Sequence, residues 1–212
     1  MKTRLLLLGL LAMTAAAQRQ PPPRWDQVYQ GRNVKVPVNP SALVLETAAN
    51  LPPGAALDIG MGNGRNAIYL ARKGWKVMGI DPSREAVNQA LAEAKKLGAP
   101  VEANVTRFED LPPFLNRFDL ILCLYVQEVA TKNAKKIMDM LKPGGLLIVE
   151  GYHQRAPALL GEPGYSTNQL LRTFNRLHIV RYEDREMLPE WVAGQAGAKG
   201  PVVRLVARKD ND

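Results

Sequence analysis

The stretch Leu57 to Asn66, LDIGMGNGRN, joins the end of an apolar run to a loop with glycine at every second position. The apolar run Ala55 to Gly60 predicts a buried strand, and Arg65 to Lys73 predicts the helix that follows, with Gly74 at its end. Glycines let a backbone turn sharply and approach a ligand closely, and a helix N-terminus offers free N–H donors. The stretch therefore predicts a strand–loop–helix unit whose loop binds a ligand.

Strands and helices alternate along most of the chain. The hydrophobic pattern predicts strands at 76–81, 101–106, 119–125 and 146–150, helices at 41–51, 83–97 and 131–142, and a turn at 142–145. This alternation predicts right-handed crossovers and a mostly parallel sheet with helices on both faces. After a helix at 167–176, strands at 177–182 and 202–207 lack a crossover helix between them, so we expect an antiparallel pair at the sheet edge. The predicted fold class is α/β, a doubly wound, Rossmann-like sheet.

The N-terminus has the three parts of a secretory signal peptide. Lys2 and Arg4 precede the apolar run 5–13, and Ala15 to Ala17 supply small residues for cleavage. Because ~20 apolar residues are needed to span a bilayer, this run predicts no membrane span. We expect residues 1–17 to be removed and the protein to be periplasmic or secreted. A buried N-terminal helix is an alternative, and a misassigned start codon would leave the protein cytoplasmic.

The 212 residues, of which 46% are hydrophobic and 23% charged, have the composition of a folded globular protein. The single Cys123 cannot form a disulfide within the chain, and its place inside an apolar strand predicts a core thiol. His153 and His178 have no metal-ligand spacing, so no metal site is expected. The net charge of +8 is scattered without a basic stripe interleaved with aromatic residues, and nucleic acid is not an expected partner.

Three details of the glycine loop indicate its ligand. The G-x-G-x-G spacing is tighter than the G-x-G-x-x-G of dinucleotide-binding loops. Asp58 at the loop entry would repel a pyrophosphate but could hold an ammonium group, and Asp81 ends the next strand, where ribose hydroxyls are usually bound. A ligand with a ribose and an ammonium group but no phosphate fits this pattern, and S-adenosylmethionine is such a ligand. The spacing and Asp58 disfavour an NAD-binding oxidoreductase.

Three motifs in this order resemble those of the class I S-adenosylmethionine-dependent methyltransferases. They are LDIGMGNGRNAIYLARKGWKVMGIDPS (57–83), FDLILCLY (118–125) and LKPGGLLIVEG (141–151). The sequence is most similar to the tellurite-resistance and thiopurine-like branch of that family. The resemblance implies a seven-stranded sheet whose last strand is antiparallel, giving the sheet an antiparallel edge strand. It also implies S-adenosylmethionine as the cofactor and a small molecule as the methyl acceptor.

The resemblance assigns cofactor roles to the first motif. Asp58 would organise the loop and hold the ammonium group of the methionine part. Gly60 and Gly62, with Met61 between them, would let the backbone pass under the cofactor. Asp81 would bind the ribose hydroxyls.

Further positions complete the implied site. Pro82 would lie against the adenine ring, and Tyr125 would border the transferable methyl group. Asn104 is the nearest match to an acid that accepts from the adenine amino group in the family. Arg65 and Asn66 are interpreted as residues that order the loop rather than contact a substrate.

The chain divides into three parts by this interpretation. Residues 1–17 are the signal peptide, 18–40 are a linker and an N-terminal lid segment, and 41–212 form the methyltransferase domain. Within the second part, Trp25, Val28 and Tyr29 have helical spacing. Trp25 and Tyr29 are either packing residues or, as the resemblance implies, part of a lid over the cofactor.

Methyl transfer from a sulfonium needs no metal and no covalent enzyme intermediate, and no catalytic residue is predicted. A soft nucleophile such as a thiol, selenite or tellurite needs little general-base help, which fits a sequence without an evident base. His153 and Arg155 follow the fifth strand, where they could face the acceptor or belong to an ordinary loop. An exported, catalytically inactive methyltransferase-like binding module is the alternative function, and the oligomeric state is left open.

Overall fold

The computed structural model describes residues 24–31, 36–156, 163–191 and 199–211. The predicted signal peptide lies outside these ranges, as does the linker up to Pro23. The strands are β1 (Ala55–Ile59), β2 (Lys76–Asp81), β3 (Val101–Val105), β4 (Phe118–Leu124), β5 (Leu141–Tyr152), β6 (His178–Met187) and β7 (Gly200–Arg208). The helices are α1 (Arg24–Tyr29), α2 (Ala42–Ala48), α3 (Arg65–Arg72), α4 (Arg84–Lys96), α5 (Gln127–Lys132), α6 (Ala134–Met140) and α7 (Gln169–Thr173).

The described strands form one seven-stranded sheet in the order β3-β2-β1-β4-β5-β7-β6. Strands β1 to β5 pair in parallel, whereas β7 is antiparallel to both β5 and β6. The predicted α/β class, the parallel sheet and the antiparallel pair at its edge are confirmed, with β7 inserted between β5 and the outermost β6. The strand order reverses between β1 and β4, and open sheets bind ligands in the crevice at such a point.

Each face of the sheet has its own apolar core. On β4, Leu120 and Leu122 face the cluster that contains α2 and α3, whereas Ile121 and Cys123 face the cluster that contains α6 and Phe174. The alternation follows from the period of two in a strand, and a run without polar residues is required because both faces are buried. Cys123 is fully buried, which confirms the predicted core thiol, and burial raises its pKa.

The structure differs from the prediction most clearly between residues 131 and 145. The expected helix at 131–142 is wrong as a single element, because α5 ends at Lys132 and α6 begins at Ala134, with Asn133 between them. The expected turn at 142–145 lies inside β5 instead. There the pairing with β4 shifts from Phe118–Leu141 to Leu120–Leu146, so residues 142–145 do not pair with β4, and the pairing resumes at Leu146.

No helix in the four described ranges is long and apolar enough to cross a membrane.

Candidate functional site

The glycine loop lies between the carboxyl end of β1 and the first turn of α3. Gly60 and Gly62 have φ angles of 67° and 57°, a region that residues with a side chain rarely adopt. A Cβ atom at Gly60 would overlap the Val126 side chain, and one at Gly62 would overlap the hydroxyl of Tyr29. Val126 and Tyr29 therefore pack directly on the glycine loop, at the amino end of a helix, and the missing side chains of Gly60 and Gly62 let them approach the backbone this closely.

Asp58 of β1 lies beneath this loop and is 2% exposed. Its Oδ2 atom is buried and has no hydrogen-bond partner among the described residues. Burial raises the pKa of this carboxyl to about 7; the Arg65 guanidinium opposes the shift, and the Asp81 carboxylate adds to it. A buried carboxylate oxygen without a donor is costly, so the position suits a ligand that brings a donor or a positive charge.

Asp81 ends β2 and joins the glycine loop to the start of α4. Its Oδ2 accepts from the Gly62 backbone N–H at 2.9 Å, and its Oδ1 accepts from the Ser83 N–H at 2.8 Å. Burial raises its pKa to about 6, against the effect of these two N–H groups. Each carboxylate oxygen can accept a second hydrogen bond, so Asp81 is fixed in place with capacity left for ligand hydroxyls.

Met61 and Pro82 differ in their surroundings. Met61 is buried and packs with Val87 and Ala90 of α4 behind the loop, and its N–H donates to the Ile80 carbonyl at 3.0 Å. Pro82 is exposed directly after Asp81. Met61 thus supports the loop from behind, while Pro82 presents its ring at the surface.

Asn104 is not brought together with these residues. It lies exposed on the edge strand β3, where its amide donates to Glu102 Oε1 at 3.3 Å. Its strand neighbour is Ile80, whereas Asp81 pairs with Val105, so the pleat places Asn104 and Asp81 on opposite faces. The adenine role of Asn104 stays a prediction.

Tyr125 follows β4 at the point where the strand order reverses, and its φ of 58° is uncommon for an aromatic residue. Its hydroxyl donates to Glu150 Oε1 at 2.6 Å and accepts from the Glu190 N–H at 3.0 Å. Glu150 is fully buried and also forms an ion pair with Arg204 at 2.6 Å. Burial holds the pKa of the Tyr125 hydroxyl well above 10, so it remains a protonated phenol.

An aromatic cover, defined as Trp25 and Tyr29 of α1 together with Trp191, lies over the glycine loop. The Trp191 ring meets the Trp25 ring edge-on with centroids 6.5 Å apart and the Tyr29 ring edge-on at 6.3 Å. The cover is attached to α4, because the Asp26 carboxylate accepts from Ser83 Oγ and from the Glu85 N–H. Trp25 and Tyr29 therefore both pack against Trp191, which confirms them as packing residues, and their role as a lid over the cofactor stays a prediction.

Polar residues of the loop hold the chain segment that leads into α2. Asn63 donates to the Pro37 carbonyl at 2.9 Å, and Asn66 Oδ1 accepts from the Ser41 N–H at 2.8 Å. Arg65 donates to the Asn39 carbonyl at 2.8 Å. Arg65 and Asn66 thus order the chain segment that leads into α2, and the expectation that they do not contact a substrate stays a prediction.

His153 belongs to a separate polar cluster beyond β5. It is 1% exposed, its Nε2 lies 3.2 Å from Thr167 Oγ1, and its Nδ1 accepts from the Arg155 N–H at 3.1 Å. These contacts hold His153 within its own loop after β5 and do not place it beside the glycine loop. Within the described ranges, no group of three or more His, Cys, Asp or Glu side chains could hold a metal ion.

Sequence reasoning missed the residues from later in the chain that contact Tyr125, Arg65 or the aromatic cover, or that pair with such a residue: Glu150, Tyr152, Glu190, Trp191 and Arg204. A tryptophan in a polar loop region was the one available signal. Its partners lie more than a hundred positions away, so the pattern around it does not reveal them.

Residues 56–145 match the family model described as a methyltransferase domain. A ubiquinone biosynthesis O-methyltransferase from Bradyrhizobium diazoefficiens is 35% identical over 96 residues, which cover 44% of this chain and 38% of that protein. TehB from Haemophilus influenzae has a similar structure, with a TM-score of 0.67 and 18% identity over 79% of this chain and 61% of that one. The [4+2]-cyclase SpnF also has a TM-score of 0.67, with 22% identity over 88% and 81% of the two chains.

The likenesses differ in what they establish. The chain covers less than half the length of the O-methyltransferase that it matches. The two solved structures share so little sequence that they establish the fold alone. That one of them is a cyclase illustrates that this fold hosts more than one chemistry.

Proposed function

We propose that this chain is a class I S-adenosylmethionine-dependent methyltransferase that methylates a small molecule, and the match of residues 56–145 to the methyltransferase domain supports the proposal. The observation that carries the proposal is the buried Oδ2 of Asp58, which lacks a donor beneath the glycine loop. An ammonium group bound at the loop would supply that donor.

The residues present fit the cofactor in charge and in hydrogen-bonding capacity. Asp58 would pair with the ammonium group, and Asp81 retains acceptor capacity for ribose hydroxyls. When bound, S-adenosylmethionine supplies a methyl group on a positively charged sulfur, so that a nucleophile can attack the methyl carbon in line and displace the sulfur. The protein's part is to orient the two reactants and exclude water, which can contribute about 7–11 kcal/mol at best.

The acceptor is proposed to be a soft nucleophile such as a thiol, selenite or tellurite. The support is the protonation state of the nearby groups. Tyr125 stays a phenol, and the Glu150 carboxylate is occupied by Tyr125 and Arg204. Neither group is arranged as a free general base, and a soft nucleophile has little need of one.

Export is a separate proposal that rests on the signal-peptide pattern of residues 1–17. An exported enzyme would have to obtain S-adenosylmethionine from the cytosol in which it is made. N-terminal sequencing of the protein from its native host tests the proposal. A mature chain that begins at Gln18 supports export, whereas an intact Met1 overturns it.

Calorimetric titration of S-adenosylmethionine into the full chain tests the enzyme proposal. We expect saturable binding that is lost in Asp81→Ala and strongly weakened in Asp58→Asn. Asp139→Asn is the matched control, because Asp139 forms a surface pair with Lys135 on α6. No binding by folded protein would overturn the enzyme proposal and favour the inactive binding module, and NAD titration would reveal an oxidoreductase.

A further inference from the structure

The edge at which the parallel strands begin, opposite the candidate site, carries a row of cations. Lys76 begins β2, Arg117 directly precedes β4, and Arg208 ends β7, which runs antiparallel to β5 and so finishes at this edge. Lys73 follows the last residue of α3 and lies shortly before Lys76. We define these four residues as the basic edge. All four are exposed, and none forms an ion pair with a carboxylate in the part of the chain that the structure describes.

Helix dipoles account for some nearby cations but not for the basic edge. Arg72 in α3, and Lys95 and Lys96 in α4, occupy last helical turns, where a positive charge is favourable. Lys76 and Arg208 belong to strands, and a sheet has only a small net dipole. No local dipole therefore offsets these charges, whereas an anionic partner would.

An exposed leucine projects beside the basic edge. Leu115 is 67% exposed, and it lies in the loop that leads into β4, two residues before Arg117. The base of this loop is fixed, because the Asn116 N–H donates to the Asp139 carbonyl at 3.0 Å and the Asn116 Oδ1 accepts from Lys209 at 2.9 Å. An apolar side chain held outward beside basic residues is the pattern of a membrane-surface contact.

A groove of about 740 Å³ lies between Lys76 and Arg117. Gly74 and Pro100 form part of its wall, and Glu102 is the carboxylate among its lining residues. Because cations border it on two sides, the groove has room for an anionic headgroup that contacts both of them.

The two edges of the sheet differ in how their charges are matched. At the carboxyl edge, Arg65 pairs with Glu190 at 2.7 Å and Arg204 pairs with Glu150 at 2.6 Å. The cations of the basic edge have no such partners among the described residues. An anionic surface therefore attracts the basic edge more strongly, and this field orients the protein before contact. In that orientation the candidate site faces away from the surface.

We propose that the basic edge docks on an anionic lipid surface, with Leu115 at the boundary between headgroups and acyl chains. A membrane fits better than a nucleic acid, because a phosphate backbone would leave Leu115 in water. The aromatic residues at this edge are also closed to base stacking, since Trp75 is 3% exposed and Phe118 is 2% exposed. The docking is peripheral and does not depend on the proposed function.

Sedimentation of the full chain with vesicles tests the proposal. We expect binding to vesicles of phosphatidylglycerol and phosphatidylcholine in equal parts, and little binding to phosphatidylcholine alone. Lys76→Glu combined with Arg117→Glu should weaken the binding about tenfold or more. Arg84→Glu combined with Arg185→Glu is the matched control, because both arginines are exposed at the carboxyl edge and the net charge changes equally.

An environment-sensitive dye reports the orientation on the vesicle. Leu115→Cys can be labelled selectively, because the natural Cys123 is fully buried. On the anionic vesicles we expect the emission of the dye at position 115 to shift to shorter wavelength. The same dye on Val38→Cys should not respond, because Val38 is 75% exposed beside the glycine loop at the opposite edge.

Four outcomes would overturn the proposal. They are absence of binding to the anionic vesicles, equal binding to both kinds of vesicle, equal losses in the two double variants, and equal shifts of the two dyes. A competition in which double-stranded DNA displaces the protein from the vesicles would replace the membrane with a nucleic acid. Because no measurement uses S-adenosylmethionine, these results are distinct from failure of the proposed function.

Discussion

The carboxylate of Glu190 lies 2.7 Å from the guanidinium of Arg65, and 125 positions of sequence separate the two residues. The same carboxylate accepts from the Ala42 N–H, and the Glu190 N–H donates to the hydroxyl of Tyr125. Glu190 therefore joins the first turn of α3, the start of α2 and the end of β4. Because Trp191 is the next residue, this junction fixes one half of the aromatic cover relative to the glycine loop.

Glu190→Gln should loosen the cover and destabilise the fold. Arg65 is 6% exposed, and a buried cation that loses its charged partner costs about 1–3 kcal/mol even where a neutral hydrogen bond survives. We expect that loss in urea unfolding and a faster dissociation of S-adenosylmethionine in stopped-flow experiments. Glu93→Gln, which breaks an exposed pair with Lys96, should change stability by less than about 0.5 kcal/mol. Equal effects of the two variants would contradict the role of Glu190.

The raised pKa values of Asp58 and Asp81 predict that the protein loses stability as the pH rises. Both carboxyls bind a proton more tightly in the folded protein than in the unfolded chain, with pKa values of about 7 and about 6 against an ordinary aspartate value of 3.8. Their contribution is fully present below pH 4 and disappears as the pH passes through 6 and 7. For three pKa units at Asp58 the loss approaches about 4 kcal/mol.

Urea unfolding between pH 5 and pH 8 isolates this effect. Glu109, Asp119 and Glu183 have lowered pKa values and are ionised in both states throughout that range. Asp58→Asn should flatten the decline and be more stable than the natural protein at pH 8. A free energy of unfolding that rises from pH 5 to pH 8 would contradict a raised pKa of Asp58 in the folded protein.

The affinity for S-adenosylmethionine should fall as the pH is lowered. The cofactor carries two positive charges, and only the ionised form of Asp58 attracts them. With a pKa of about 7 in the free protein, each unit below pH 7 should raise Kd up to tenfold. Titration calorimetry at pH 5.5, 6.5 and 7.5 measures the slope. In Asp58→Asn the binding should be weaker at pH 7.5, and its affinity should change little until Asp81, with a pKa of about 6, becomes protonated.

The central unit of the fold could be predicted because its signals are local. The glycine loop, the start of α3 at Arg65 and the end of β2 at Asp81 all agree with the sequence pattern to within a residue. Glycine at positive φ, apolar runs and helix stops act over a few positions, and a sequence displays them directly. Asp58 and Asp81 could be predicted in the same way, because the carboxyl ends of β1 and β2 lie at one edge of the sheet.

Contacts that depend on tertiary packing could not be predicted. The pairing of Glu190 with Arg65 and the meeting of Trp25 with Trp191 join elements whose separation in sequence carries no periodic signal. The interruption at Asn133 is of the same kind, because apolar spacing continues across it. The sequence predicts the turn at 142–145, but it does not show that the chain resumes the same strand afterwards, because that depends on pairing with β4.

Gly62→Ala should abolish cofactor binding while the fold survives. A Cβ atom at this position overlaps the Tyr29 hydroxyl and so displaces Tyr29 from the loop, and φ of 57° adds backbone strain of about 1–2 kcal/mol. Gly98→Ala is the matched control for the strain, because its φ of 63° imposes a similar strain but no atom lies within 4 Å of the added methyl group. Gly62→Ala should lose more stability than Gly98→Ala in thermal melts because of the overlap with Tyr29, and only Gly62→Ala should lose S-adenosylmethionine binding. Unchanged binding in Gly62→Ala would place the cofactor elsewhere, since no methyl group can be added to the floor of an occupied site without cost.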